Sequence, residues 1–213
     1  MIVANAWHPD LIAPIKPGSM GTPLPGHNVV VLRDDADEAT PAGTHGRVAV
    51  DSTAPLFAFD RYHNEPERTA QRFTEDGRWY LTGDVAMCDD EGSFFFSSRD
   101  DDVIIMAGYR IGPFDVESVL VAHDDVAEAA VIGVPDALKG EVIEAYVVPR
   151  AGLVPSDEFT AELQQHVKAK FAARAYPRRV HYVDALPKTP SGKIQRFILR
   201  RQRVAELAET GAN

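Results

Sequence analysis

The feature that most restricts how this sequence can fold is a change of pattern across Ser98–Asp102. Before it, short β-branched and aromatic runs are broken by Gly, Pro and Asp. After it, strand-length apolar runs alternate with helix-length amphipathic ones. Two patterns predict two structural parts. Upstream, residues 1–27 carry Pro9, Pro14, Pro17, Gly18, Gly21, Pro23, Pro25 and Gly26 and read as loop. Asn28–Arg33 and Gly46–Asp51 read as strands, and Glu65–Phe73 as a short helix with Pro66 in its first turn. Trp79–Cys88 and Ser93–Ser97 read as a hairpin across Asp89–Gly92. Downstream, Val103–Met106, Glu128–Val134, Val142–Pro149 and Arg179–Val183 read as strands. Pro113–His123 and a segment from about Gln195 read as helices. Ser156–Phe171 is the strongest helix, capped by Ser156, with Phe159, Leu163, Val167 and Phe171 on one stripe. The predicted fold class is α+β: a small antiparallel β subdomain shaped as a distorted barrel over residues 1–97, a joint over 98–103, and a compact α+β domain over 104–213.

Composition excludes several function classes. No apolar run approaches the roughly 20 residues that span a membrane. Met1–Trp7 has neither the basic flank nor the apolar core of a secretory signal. The single cysteine, Cys88, excludes an internal disulfide framework, and a reducing cytoplasm is the expected location. The net charge of -10 is unevenly spread. Residues 168–203 hold 11 Lys/Arg against one acid, Asp184, whereas residues 1–167 hold 11 against 29 Asp/Glu. Such a basic stretch attracts phosphates, or else is a solvated helix face. Nucleic acid is not an expected partner, because no aromatic platform accompanies the basic residues and the rest of the chain repels a polyanion.

Three polar, glycine-containing segments are embedded among apolar ones. In Tyr80-Leu81-Thr82-Gly83-Asp84 a strand ends at a glycine that allows close backbone approach, and Asp84 follows. A carboxylate there can accept both hydroxyls of a ribose, or the segment is an ordinary turn with a capping Asp. Ser98-Arg99-Asp100-Asp101-Asp102 runs on into Ala107-Gly108-Tyr109-Arg110-Ile111-Gly112. Three adjacent carboxylates resist burial, which suits an exposed hinge; their consecutive spacing points them apart, so no metal site is expected. Gly108 and Gly112 flank Arg110 and leave its guanidinium open to an anion. In Leu186-Pro187-Lys188-Thr189-Pro190-Ser191-Gly192-Lys193-Ile194, Pro187 and Ile194 stand where a phosphate-binding P-loop needs Gly and Ser or Thr. Lys193 is either a surface lysine or a cation that meets charge developing between a carboxylate and a phosphate.

Taken in order, these segments resemble the adenylate-forming superfamily, which comprises acyl-CoA synthetases, peptide-synthetase adenylation domains and luciferases. The resemblance runs from about Lys16 to Arg201. Ile15–Gly21, Gly108–Ser118, Glu162–Lys168 and Tyr176-Pro177-Arg178 look like the medium-chain acyl-CoA synthetases within it. The resemblance implies joining of a carboxylic, probably fatty, acid to CoA with ATP and Mg²⁺, through an acyl-adenylate. It implies that Asp84 binds the ribose hydroxyls, Arg99 helps hold the ribose, and Asp101 is the hinge. Lys193 would bridge the carboxylate and α-phosphate, and Gly108, Tyr109 and Arg110 would face the active site while the thioester forms.

There are departures. Ser98 replaces a usual Gly, Ala107 a common Ser, and Ala175 a frequent Lys. No Ser/Thr/Gly-rich phosphate loop and no Tyr-Gly-x-Thr-Glu segment is found, and the sequence looks as if it starts just after that segment. The expectation is a C-terminal fragment, inactive or nearly so alone, whose cut surface favours self-association. The alternatives are a non-catalytic module that binds CoA, AMP or a partner chain, and an adenylation domain serving a carrier protein.

Overall fold

The structure, a computed structural model, describes residues 2–5 and 14–210. Pro9, Trp7 and the rest of residues 6–13 lie outside the described residues. The chain forms two compact units, Met1–Asp101 and Asp102–Asn213.

In the first unit, β1 (Val3–Ala4), β2 (Thr22–Pro23), β3 (Val29–Leu32), β4 (His45–Asp51), α1 (Pro66–Ala70), β5 (Trp79–Cys88) and β6 (Phe94–Arg99) follow one another. The main sheet has the order β3-β4-β5-β6, antiparallel at every step. It is open rather than the distorted barrel expected from the sequence, because four strands are too few to close. Val29, Val31, Val48, Val50, Ala86 and Phe94 form the core of one face. The opposite face buries Leu32, Ala49 and Trp79, as the period of two requires. The segment 1–27 is not all loop: Val3 pairs with Pro23 and Ala4 with Thr22, and Gly21 bridges Phe94. A β-carbon at Gly21 would stand 2.0 Å from the Ala4 carbonyl carbon, so only glycine allows this crossing. Two-residue strands with distant partners leave no periodic signal in sequence.

The second unit contains β7 (Ile104–Met106), β8 (Tyr109–Ile111), α2 (Pro113–Val121), β9 (Val126–Asp136), β10 (Gly140–Pro149), α3 (Asp157–Lys170), β11 (Arg179–Tyr182) and α4 (Arg196–Thr210). Central β10 pairs antiparallel with β9 and parallel with β11. The β7–β8 hairpin joins at Gly140↔Met106. Alternation along β9 and β10 feeds two cores. Ala129, Val131, Ile143, Ala145 and Val147 pack with Val116, Leu120, Phe159, Leu163 and Val167 of α2 and α3. Ala130, Ile132, Val134 and Tyr146 pack with Leu199 and Leu207 of α4. The sheet is therefore covered by helices on both faces.

Ser156 accepts a hydrogen bond from the Phe159 N–H and starts α3 as expected. Phe171 leaves the predicted stripe: α3 ends at Lys170, and Phe171 is 41% exposed. Strand β8 was not anticipated, because three residues beside a glycine turn carry too little pattern.

Candidate functional site

Thr82-Gly83-Asp84 is a bulge in β5. Arg47 pairs with Val85 and Ala49 with Leu81, so three residues stand against Val48 alone. The Thr82 hydroxyl fills the gap, donating to the Val48 carbonyl at 3.1 Å and accepting from the Asp84 N–H at 3.1 Å. Gly83 has φ of +78°, a conformation that glycine adopts without strain. The bulge turns Asp84 toward Arg99, its cross-strand partner on β6. One Arg99 nitrogen donates to Asp84 Oδ1 at 2.7 Å and to the Thr82 carbonyl at 3.2 Å. The side chains remain 36% and 42% exposed, so the pair is open to a ligand's hydroxyl groups.

Beyond Arg99 the chain makes one turn of 3-10 helix over Asp100–Asp102. Asp101 is 83% exposed at the side chain and lies 3.8 Å from Arg99 Nε. The preceding residues do not share that exposure. Ser98 is buried in β6, and its hydroxyl has no hydrogen-bond partner among the described residues.

Ala107 and Gly108, both at positive φ (50° and 81°), form the two-residue turn of the β7–β8 hairpin. Space around Gly108 is open on the side where a side chain would project. Tyr109 and Arg110 are exposed on β8, and the Arg174 guanidinium lies 4.2 Å above the Tyr109 ring.

Lys193 is exposed on a braced turn. Lys188 and Ile194 form a bridge across its base. The Lys193 N–H donates to the Thr189 hydroxyl at 3.0 Å, and its carbonyl accepts from the Thr189 N–H at 2.8 Å. Buried Leu186 and half-buried Ile194 tie both arms into the core beneath α4. Among the described residues its ammonium has no ion-pair partner.

That distinguishes Lys193 from most of its basic neighbours. Of the 11 cations in residues 168–203, Lys188, Arg196, Arg200, Arg203 and Arg179 are ion-paired. Lys168, Arg174 and Arg178 lie over tyrosine rings. The basic stretch is thus largely a set of contacts to acids such as Glu117, Glu128, Glu141 and Glu144. One of these cations, Arg196, donates through two nitrogens to Glu117 at 2.7 and 2.6 Å and through a third to Asp102 at 3.0 Å. Burial lowers the Arg196 pKa, but the pairing with Glu117 and Asp102 outweighs it and holds the value above the usual. Glu144 is the counterpart on β10: burial raises its pKa, yet hydrogen bonds from His181 and Arg203 bring it below the usual value.

The structure therefore brings Asp84 and Arg99 together, groups Gly108, Tyr109 and Arg110 on a second element, and leaves Lys193 on a third. Glu117 was not singled out from the sequence, though a signal existed. It lies with Pro113, Val116 and Leu120 at helical spacing on the buried stripe of α2, where a charge needs a partner.

Residues 115–193 match the AMP-binding enzyme C-terminal domain. An uncharacterized acyl–CoA ligase of Bacillus subtilis is 46% identical over 189 residues, covering 89% of this chain and 35% of the relative. A mitochondrial acyl-coenzyme A synthetase of Rattus norvegicus is 44% identical over 192 residues, covering 88% of this chain and 33% of the relative. The crystal structure of ATP-bound MatB from Rhodopseudomonas palustris matches with a TM-score of 0.82 at 31% identity, covering 96% of this chain and 38% of that one. The chain thus spans about a third of the length of the curated relatives it matches. With that span, and with the domain match lying at the C-terminal domain, the chain belongs to the adenylate-forming superfamily of acyl-CoA synthetases and their relatives, whose C-terminal portion it carries.

Proposed function

We propose that these residues serve an ATP-dependent acyl-CoA synthetase that converts a carboxylic acid, through its adenylate, to the CoA thioester. The observation that carries the reading is the Lys193 ammonium, exposed on a braced turn without an ion-pair partner among the described residues. A cation left unneutralised among paired neighbours suits a site where two anions, a carboxylate and an α-phosphate, must approach each other. Asp84 accepts the ribose hydroxyls, and Arg99 fixes the carboxylate and reaches the same sugar. Both side chains fit the task, being exposed enough to bind while held by the Thr82 bulge. Asp101 is the hinge within a joint over residues 98–103. Gly108, Tyr109 and Arg110 present a backbone open at Gly108 to the thiol-bearing arm of CoA. Mg²⁺ accompanies the ATP phosphates; among the described residues no cluster of three or more His, Cys, Asp or Glu is arranged to hold it. The 213 residues alone are expected to form acyl-CoA slowly or not at all.

The test is a chimera in which this chain replaces the corresponding third of an active relative. Lys193→Ala in that chimera is expected to slow adenylate formation by about 10²–10³-fold, the scale of losing one preorganised charge-stabilising group. Thioester formation from supplied acyl-adenylate should be little changed. Equal loss in both half-reactions would remove the role given to Lys193.

A further inference from the structure

The β7–β8 hairpin that carries Gly108, Tyr109 and Arg110 is a short appendage of the second sheet. Its strands have three residues each, and β7 pairs with β10 at Gly140↔Met106. The Ala107 N–H in the turn donates to the Lys139 carbonyl at 2.7 Å. In an antiparallel hairpin closed by a two-residue turn, the pair beside the turn exchanges hydrogen bonds and the next pair does not. Met106↔Tyr109 is the first of these pairs and Ile105↔Arg110 the second. The Ile105 N–H therefore points away from β8, at a level where β10 is only beginning. A carboxylate meets it there: Glu141 Oε2 accepts the Ile105 N–H at 2.7 Å.

Glu141 lies on β10 opposite Pro135, and its side chain is 16% exposed. Its other oxygen, Oε1, accepts from an Arg200 guanidinium nitrogen of α4 at 2.6 Å. One carboxylate thus joins the backbone of β7 to a helix 59 positions further along the chain. Its place is made by Gly133 of β9, two residues before Pro135 and on the same face. A β-carbon at Gly133 would stand 2.9 Å from Oε1 and 3.0 Å from both Cδ and Oε2 of Glu141. These are the nearest atoms it would meet, and Gly133 is not among the glycines at positive φ. A glycine inside a strand gives up packing and is used where another group approaches closely. Here that group is the Glu141 carboxylate.

We infer that Glu141 is a positioning residue for thioester formation: through Ile105 it fixes the hairpin that presents Gly108, Tyr109 and Arg110, while Arg200 and the space over Gly133 fix the carboxylate. The inference rests on the reading in which that hairpin meets the thiol-bearing arm of CoA, and it gives Glu141 no contact with substrate. An ionised acceptor holds a backbone N–H more strongly than a neutral one. A two-stranded ribbon is marginal by itself, so a hairpin this short depends on each tie to its neighbours.

The first measurement is amide exchange in the 213-residue chain, read at Ala107, whose own acceptor, the Lys139 carbonyl, no variant removes. Glu141→Ala is expected to speed exchange there about tenfold or more, the value of a hydrogen bond to a charged group. Glu141→Gln, which keeps an oxygen for the Ile105 N–H, should recover most of the protection. Gly133→Ala should act as Glu141→Ala does, because its β-carbon displaces the carboxylate. Combined with Glu141→Ala it should add nothing, whereas a glycine needed for sheet packing alone would add its own loss. The second measurement uses the chimera. Glu141→Ala is expected to raise the KM for CoA about tenfold in the thioester half-reaction, with kcat at saturating CoA and adenylate formation little changed. Glu141→Gln should lie close to the parent. The inference is overturned if Ala107 exchange is unchanged in Glu141→Ala, if the two substitutions add, if the KM for CoA does not move, or if both half-reactions fall together. A parent chimera that makes no thioester would count against the proposed function instead, and Ala107 exchange would still decide whether Glu141 holds the hairpin.

Discussion

Glu117→Ala tests whether the second unit depends on one buried ion pair. The Glu117 side chain is 7% exposed and Arg196 is 19% exposed. Glu117 also accepts the backbone N–H of Val131 at 2.8 Å, serving the edge of β9 that faces away from β10. Truncation removes three hydrogen bonds and leaves the guanidinium with Asp102 alone. Breaking a buried pair from one side costs about 3–5 kcal/mol, and a buried N–H left without an acceptor about 1–3 kcal/mol more. Arg196 keeps Asp102 at 3.0 Å and can relax toward water, so the lower end applies. The expected total is about 4 kcal/mol, or a fall in melting temperature of about 16 °C for a unit of this size. Trp7 and Trp79 both fall in the first unit, so tryptophan fluorescence would miss the effect. Far-ultraviolet circular dichroism and exchange of the Val131 amide are the proper probes. Glu117→Gln keeps an acceptor for Val131 and should cost about half as much. A loss below about 1 kcal/mol for Glu117→Ala, with Val131 still protected, would refute the view that this pair anchors the start of α4.

Two further outcomes are expected. Because the folded pKa of Glu144 lies below its ordinary 4.5, its contribution to stability is complete above that pH and is lost as pH falls through the lower, folded value. Glu144→Gln should therefore flatten the decline in unfolding free energy between about pH 5 and pH 3, and an unchanged acid slope would show that Glu144 is not its source. In the chimera, Asp101→Pro fixes φ at the hinge and should slow one half-reaction at least about tenfold while sparing the other; unchanged rates in both would show that the joint turns elsewhere.

The charge distribution shows how far sequence carries. Residues 168–203 read as a basic stretch because a linear sequence sets each charge beside its covalent neighbours alone. In space, Arg196 meets Glu117 from 79 positions away and Asp102 from 94. Arg203 meets Glu144 from 59. The sheet makes these meetings, and no local count contains them.

By itself the sequence determined the α+β class, the strand pair around Asp89–Gly92, Pro66 and Pro113 at helix starts, the Ser156 cap and the polar segments that carry Asp84, Arg99 and Lys193. Each is written in residues a few positions apart, where backbone geometry translates spacing directly into structure. Only the tertiary structure decided that the first sheet stays open, that Val3–Ala4 finds Thr22–Pro23, that most of the basic residues are spent on internal partners, and that Lys193 is not. Those outcomes depend on which distant groups packing brings within a few ångströms, where Coulomb and hydrogen-bond energies become large enough to choose.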